Sequence, residues 1–150
     1  MSASSPGSGP VDGKALRGYF ESAVAYLRQS AKAIDAINVY PVPDGDTGAN
    51  MSATLREAVD RAATAGDNPS AGEVLHAIAR GALYGARGNS GVILSQALRG
   101  FESGAGAVER LDARALADGL EAAATQAYRA VSRPQEGTML TVLREAAAEA

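Results

Sequence analysis

The chain has 150 residues, 46% of them hydrophobic and 21% charged, with a formal net charge of −3, no cysteine and one histidine. This length suits one domain with a core of its own, and the composition suits a soluble globular protein rather than a disordered or fibrous one. The absence of cysteine excludes disulfides, thiolate zinc sites and thiol nucleophiles. The scattered basic residues build no face for nucleic acid, and no apolar run approaches the roughly 18 residues of a membrane span.

Residues 1–12 are rich in Ser, Gly and Pro, which predicts a mobile tail ahead of a helical domain over residues 13–150. Residues 1–10 also lack the basic and apolar regions of a secretory signal, so the cytoplasm is the expected location. From residue 14 to 37, Leu16, Phe20, Val24, Leu27, Ala31 and Ile34 recur at three- and four-residue steps, the pattern of one buried helical face. Residues 50–65 repeat it with Met51, Leu55, Val59 and Ala62 until Gly66 and Pro69 break the helix. Ser70 with Glu73 has capping-box spacing ahead of Val74, Leu75, Ile78, Ala82 and Leu83.

A further helix is expected around Val92, Leu94, Leu98 and Phe101. Another is expected from the cap Asp112, with Leu111 and Leu116 at staple spacing, to about Val131. A last helix should begin near Thr138. The tyrosines and phenylalanines fall at helical steps and are read as core, whereas His76, on one side with Glu73 and Arg80, is read as surface. The only strand-like run, residues 38–42, contains Pro41 and is followed by Pro43, so the expected class is all-α.

The stretch Asn38-Val39-Tyr40-Pro41-Val42-Pro43-Asp44-Gly45-Asp46-Thr47-Gly48-Ala49-Asn50 joins the first two helices. Its prolines stiffen it, and its glycines reach backbone angles closed to other residues. Asp44 and Asp46 can turn two carboxylates toward one point, a hard-oxygen pair suited to magnesium. Thr47 and Asn50 add a hydroxyl and an amide at a helix start, where free N–H groups favour an anion. A solvated turn with an Asp or Thr cap accounts for the same pentapeptide equally simply.

Gly85-Ala86-Arg87-Gly88-Asn89-Ser90-Gly91 forms a second small-residue junction that ends at a helix start, which suits a di- or triphosphate. It is not a P-loop, since no Gly-Lys-Ser/Thr ending occurs. An interhelical loop with Ser90 as N-cap reads it as well. Thr138 and Met139 mark a third junction, where a methionine can pack on an adenine ring or simply be core.

Together, residues 38–51 and 85–96 strongly resemble the DhaL-type nucleotide-binding domain shared by dihydroxyacetone kinases and bacterial fatty acid kinases, with the nearer likeness to the fatty acid kinase A subunit. The resemblance covers about residues 13–150. It implies a barrel of antiparallel amphipathic helices that holds ATP or ADP with a pair of magnesium ions. Asp44 and Asp46 would then be the metal ligands and catalytic residues, with Asn38 where the dihydroxyacetone kinases place a third aspartate. Thr47, Asn50, Gly88, Asn89, Ser90, Gly91, Thr138 and Met139 would border the nucleotide.

The implied activity is transfer of the ATP γ-phosphoryl to a fatty acid carboxylate presented by a fatty-acid-binding protein, and self-association as a homodimer is compatible with it. Dihydroxyacetone phosphorylation and a non-catalytic nucleotide-binding or interaction module remain alternatives. Relative to the family the chain is short, so the last helices of the barrel are expected to be missing.

Overall fold

The computed structural model describes residues 9–39 and 43–150. Among these residues the protein is all-α, with helices α1 Gly13–Ala36, α2 Thr47–Ala62, α3 Ala71–Gly85, α4 Gly88–Ala105, α5 Ala113–Arg129 and α6 Met139–Glu149. The only β pairing among them is an isolated antiparallel bridge between Val11 and Leu111. No helix of the described residues is long and apolar enough to cross a membrane.

Four helices start on a side-chain cap from their own N-cap residue. Asp12 accepts from the Ala15 N–H at 2.8 Å, Asp112 from Ala115 at 2.8 Å, and Thr138 from Leu140 at 3.3 Å. Ser70 and Glu73 form the reciprocal capping box, with bonds of 2.7 and 3.1 Å. Each such cap satisfies an N–H that the helix itself leaves without a partner. The starts of α2 and α4 have no such bond from Asp46 or Arg87.

Successive helices run antiparallel and alternate between two ends. The α1–α2, α3–α4 and α5–α6 connections lie at one end. At the other end, the α2–α3 and α4–α5 connections are tied by Ala71 N–H to Glu109 O at 2.9 Å and Gly72 N–H to Val108 O at 2.8 Å. The Val11–Leu111 bridge closes this end, and His76 Nδ1 and Glu102 Oε1, 2.6 Å apart, join α3 to α4.

Leu16 and Val24 of α1, Leu55 and Val59 of α2, and Val74, Leu75 and Ile78 of α3 form the main core with Leu111. A second cluster joins Ala97 of α4, Ala123 and Ala127 of α5, and Leu140 of α6. Helices α4 and α5 meet closely because Gly100 and Gly104 carry no side chain. A Cβ on either would stand 2.5 Å from the carbonyl oxygen of Ala122 or Asp118.

Several expectations need correction. The tail does not extend to residue 12: Val11 pairs with Leu111, the Pro10 carbonyl accepts from Arg110 at 2.8 Å, and Asp12 caps α1. Residues 1–8 lie outside the described residues. Helix α2 begins at Thr47 and α4 at Gly88, earlier than the apolar pattern marks, because their first turns are built from small and polar residues.

Tyr19, Tyr26 and Tyr84 are exposed rather than core, as are Leu83 and Val92, and α4 instead buries Ser90, Gly91, Ser95, Ala97 and Gly100. Small residues let the helices approach so closely that larger side chains are displaced from the contact face. Leu111 is buried but Leu116 is 41% exposed, so the expected staple of α5 has only one buried side.

Candidate functional site

The starts of α2 and α4 lie side by side. The Ser90 hydroxyl donates to the Thr47 carbonyl at 3.2 Å. Thr54, one turn beyond Asn50 in α2, is fully buried between the two helices. Its Oγ1 accepts the Arg87 N–H at 3.1 Å and donates to the Asn50 carbonyl at 2.8 Å. Gly91 rests on that hydroxyl, where a Cβ would stand 2.4 Å from Thr54 Oγ1. Gly88 has φ +64° and rests on the Asn50 amide, where a Cβ would stand 2.3 Å from Nδ2.

These contacts bring Thr47, Asn50, Gly88, Ser90 and Gly91 into one cluster. Asn89 lies on the first turn of α4, exposed beside Gly88 and Ser90. A helix start carries partial positive charge on its free N–H groups. Among the described residues no acceptor takes the N–H groups of Gly88, Asn89 and Ser90. The alternative in which Ser90 caps α4 is not what the structure has: the N-cap is Arg87, and the Ser90 hydroxyl is engaged with α2.

Helix α2 is capped from another element. Asp35, in the last turn of α1, accepts the Gly48 N–H at 2.7 Å and the Ala49 N–H at 3.3 Å through Oδ1. Gly48 permits the approach, since a Cβ there would stand 2.4 Å from the Ala31 carbonyl oxygen. Asp46 thereby holds the N-cap position without spending its carboxylate on the helix. The turn before it uses Gly45 at φ +69°, and Asp44, Gly45 and Asp46 are all exposed.

The Asp44 and Asp46 carboxyls come within hydrogen-bonding reach of each other, and this contact holds the Asp46 carboxyl above its ordinary pKa. Slight desolvation and the Asp44 charge act in the same direction, while a hydrogen bond with the Asn50 side chain opposes them. Two carboxylates held this close, with no ion pair to Lys or Arg among the described residues, are a donor set that a hard divalent cation fits. Among the described residues no three His, Cys, Asp or Glu side chains group as a metal cage.

Asn38 lies just past α1, and its Oδ1 accepts from the Thr47 hydroxyl, so it stands beside the start of α2. Residues 40–42, including Pro41 of the stiffened loop, lie outside the described residues.

Thr138 is engaged as the N-cap of α6, and Met139 is half-buried in its first turn. Among the described residues no hydrogen bond joins either residue to the α2–α4 cluster. The loop before them is fixed by Glu136, which accepts from the Thr141 hydroxyl and from Arg144, both at 2.6 Å. Two grooves lie away from the cluster. One, of about 400 Å³, runs between α4 and α5, and the other, of about 490 Å³, opens beside His76 and Glu102 at the far end.

Sequence reasoning passed over both Thr54 and the capping role of Asp35. Thr54 is a polar residue on the apolar face of α2, beside Leu55 and Val59. Asp35 is an acid at a helix C-terminus, where the dipole disfavours it. Each broke a local rule for a reason found only in the tertiary structure.

The chain matches the DAK2 domain family over residues 41–150. Protein YloV of Bacillus subtilis is 43% identical to it over 140 residues, covering 93% of this chain and 25% of that protein. An uncharacterized protein of Staphylococcus saprophyticus is 43% identical over 140 residues, covering 91% of this chain and 25% of its own length. One of Staphylococcus aureus strain USA300 is 41% identical over 140 residues with the same coverage, 91% and 25%. The chain thus spans about a quarter of the length of these curated relatives. Since the family match takes in well over half of the chain, and the helical architecture agrees with it, the protein belongs to the DAK2 domain family, a kinase family with an all-α nucleotide-binding domain.

Proposed function

We propose that this domain binds magnesium and ATP at the joined starts of α2 and α4, and that it serves a kinase passing the γ-phosphoryl to a fatty acid carboxylate presented by a lipid-binding partner. The observation that carries the reading is the pairing of Asp44 with Asp46 near the start of α4, where the Gly88, Asn89 and Ser90 N–H groups have no acceptor among the described residues. Carboxylates alone would repel a nucleotide, and N–H groups alone would take any anion. The two together suit an anion that arrives with a cation.

In this reading Asp44 and Asp46 hold the metal, with Asn38 beside them, and Asn50 fixes Asp46 through its side chain. Magnesium bound there neutralises charge on the phosphates. The backbone of Gly88, Asn89, Ser90 and Gly91 receives phosphate oxygens, and Thr47 lies between the two groups. Thr138 and Met139 are assigned to the nucleotide's outer border by the family likeness. A carboxylate acceptor is already ionised at neutral pH, so the domain needs no general base and acts by positioning and charge. The cytoplasm, where ATP is abundant, is the proposed location.

Calorimetry with Mg–ATP tests the binding, and phosphate transfer to a panel of acceptors tests the reaction. Magnesium-dependent binding that Asp46→Ala abolishes is the expected result. Equal binding by Asp46→Ala, or binding indifferent to magnesium, would overturn the site. Transfer to dihydroxyacetone rather than to a presented fatty acid would move the acceptor to the other branch. Tight binding with no transfer to either would make the domain a nucleotide-binding module.

A further inference from the structure

Arg87 occupies a position where its side chain is unexpected. It is the N-cap of α4, a place that favours Ser, Thr, Asp or Asn because their short oxygens satisfy free N–H groups. An arginine carries only donors and can satisfy none of them. It also puts a full positive charge at the positive end of a helix dipole, which is unfavourable unless an anion is present.

The backbone at this point is fixed. The Arg87 N–H is held by the buried Thr54 hydroxyl at 3.1 Å, and its carbonyl accepts the Gly91 N–H at 3.0 Å. The side chain leaves this anchored point exposed, and among the described residues its guanidinium has no hydrogen bond, ion pair or ring contact. The next residue, Gly88, lies against the Asn50 amide, and Asn50 in turn neighbours Asp46, while Arg87 makes no ion pair among the described residues. Several of the other arginines have engaged side chains, including Arg17 with the Gly66 carbonyl, Arg110 with the Pro10 carbonyl and Arg144 with Glu136.

We propose that Arg87 contacts the terminal phosphate of bound ATP and discriminates the triphosphate from the diphosphate. The proposal rests on the nucleotide reading above and adds to it the group that senses the γ-phosphate. The backbone N–H groups of α4 are short and can serve only oxygens lying directly on the helix start. A guanidinium on a long stem reaches past them and forms paired, charge-assisted bonds to a phosphate. It also balances the added charge of the third phosphate in a site that already contains two aspartates.

Nucleotide titration of the full chain with magnesium, by calorimetry, reads this out without an acceptor or a partner. Arg87→Ala is expected to weaken ATP binding by about 10-fold or more while leaving ADP within about 2-fold, because one charge-assisted contact is lost from the triphosphate alone. Arg87→Lys should recover part of the ATP preference, since it keeps the charge and loses the planar fork. Both variants should melt within about 2 °C of wild type, because the guanidinium has no partner to lose among the described residues.

An unchanged ATP-to-ADP affinity ratio in Arg87→Ala, whether both affinities fall or neither does, overturns the assignment. Wild-type protein that prefers ATP no more than ADP overturns it too, while leaving the nucleotide site in place. Failure of wild type to bind either nucleotide removes the site itself, and the role of Arg87 with it.

Discussion

Asp35 caps a helix that is not its own: from the last turn of α1 its carboxylate accepts the Gly48 and Ala49 N–H groups at the start of α2, at 2.7 and 3.3 Å. The interaction locks the angle between the two helices and frees Asp46 from capping. It also removes the unfavourable end-of-helix charge from α1 by giving it to the positive end of α2. Asp35→Ala should therefore destabilise the protein by about 1 kcal/mol, the usual loss of a capping acceptor. Asp35→Asn, which keeps an oxygen but not the charge, should lose less. Urea unfolding of both variants checks the order, and an Asn variant as unstable as the Ala variant would refute it.

The Asp44–Asp46 pair makes the opposite contribution to stability in the metal-free protein. Asp46 is held above its ordinary pKa by its hydrogen bond with Asp44, so the folded state takes up the shared proton more readily than the unfolded chain. The resulting stability is present at pH values below the unfolded pKa and is lost as pH rises through the folded one. Asp46→Asn should thus melt higher than wild type at neutral pH without magnesium, and the advantage should vanish toward acid. Magnesium should raise the melting temperature of wild type and leave the variant unmoved. Melting curves across pH, with and without magnesium, decide it.

Glu136 titrates with the reverse sign. Its carboxyl is held below the ordinary value first by the Thr141 hydroxyl and then by Arg144, whose own pKa is raised by Glu136. That stability is present above the unfolded pKa and is lost as pH falls through the folded one. Glu136→Gln should flatten the acid limb of the melting profile. Since these groups are exposed, added salt should shrink the difference between variant and wild type.

Which parts of this arrangement were legible in the sequence follows from the range of each interaction. The capping box at Ser70 and Glu73 and the Asp112 cap are contacts within three residues, and local spacing encodes them. Periodicity likewise marked Leu16, Val24, Leu55, Val59, Val74 and Ile78 as core. It misplaced Val92 and Tyr84, because small residues such as Gly91 and Gly81 take the contact face and leave the large ones outside. The motif residues 44–50 and 88–91 stood out by composition. The residues that join them, Asp35 and Thr54, act across 13 and 33 positions of chain and carry no local mark.

Gly88 combines two constraints that no other residue meets. Its φ of +64° is costly for any side chain, and a Cβ would stand 2.3 Å from Asn50 Nδ2. Gly88→Ala should cost about 1–2 kcal/mol in backbone strain alone. Because the Asn50 amide must also shift away from Asp46, nucleotide affinity should fall by more than the stability loss explains. Calorimetry at a temperature where the variant remains fully folded separates the two effects, and an unaltered affinity there would show that Asn50 tolerates the displacement.

Thr54 is the residue on which both helix starts depend. It is fully buried, and its one hydroxyl accepts from Arg87 and donates to the Asn50 carbonyl. Thr54→Val keeps the shape but removes the acceptor, leaving the Arg87 N–H unpaired at a cost of about 1–3 kcal/mol. Thr54→Ser keeps the hydroxyl and loses a methyl, so it should cost about 1 kcal/mol, with the phosphate loop still anchored. Stability alone would not distinguish an anchor from a packing residue, because both variants are destabilised. Nucleotide affinity does: Ser should bind as wild type does, and Val should bind more weakly because the Arg87–Gly91 segment is released from α2. If the two variants rank the other way in affinity, Thr54 contributes packing, and the loop is held instead by the Ser90–Thr47 bond.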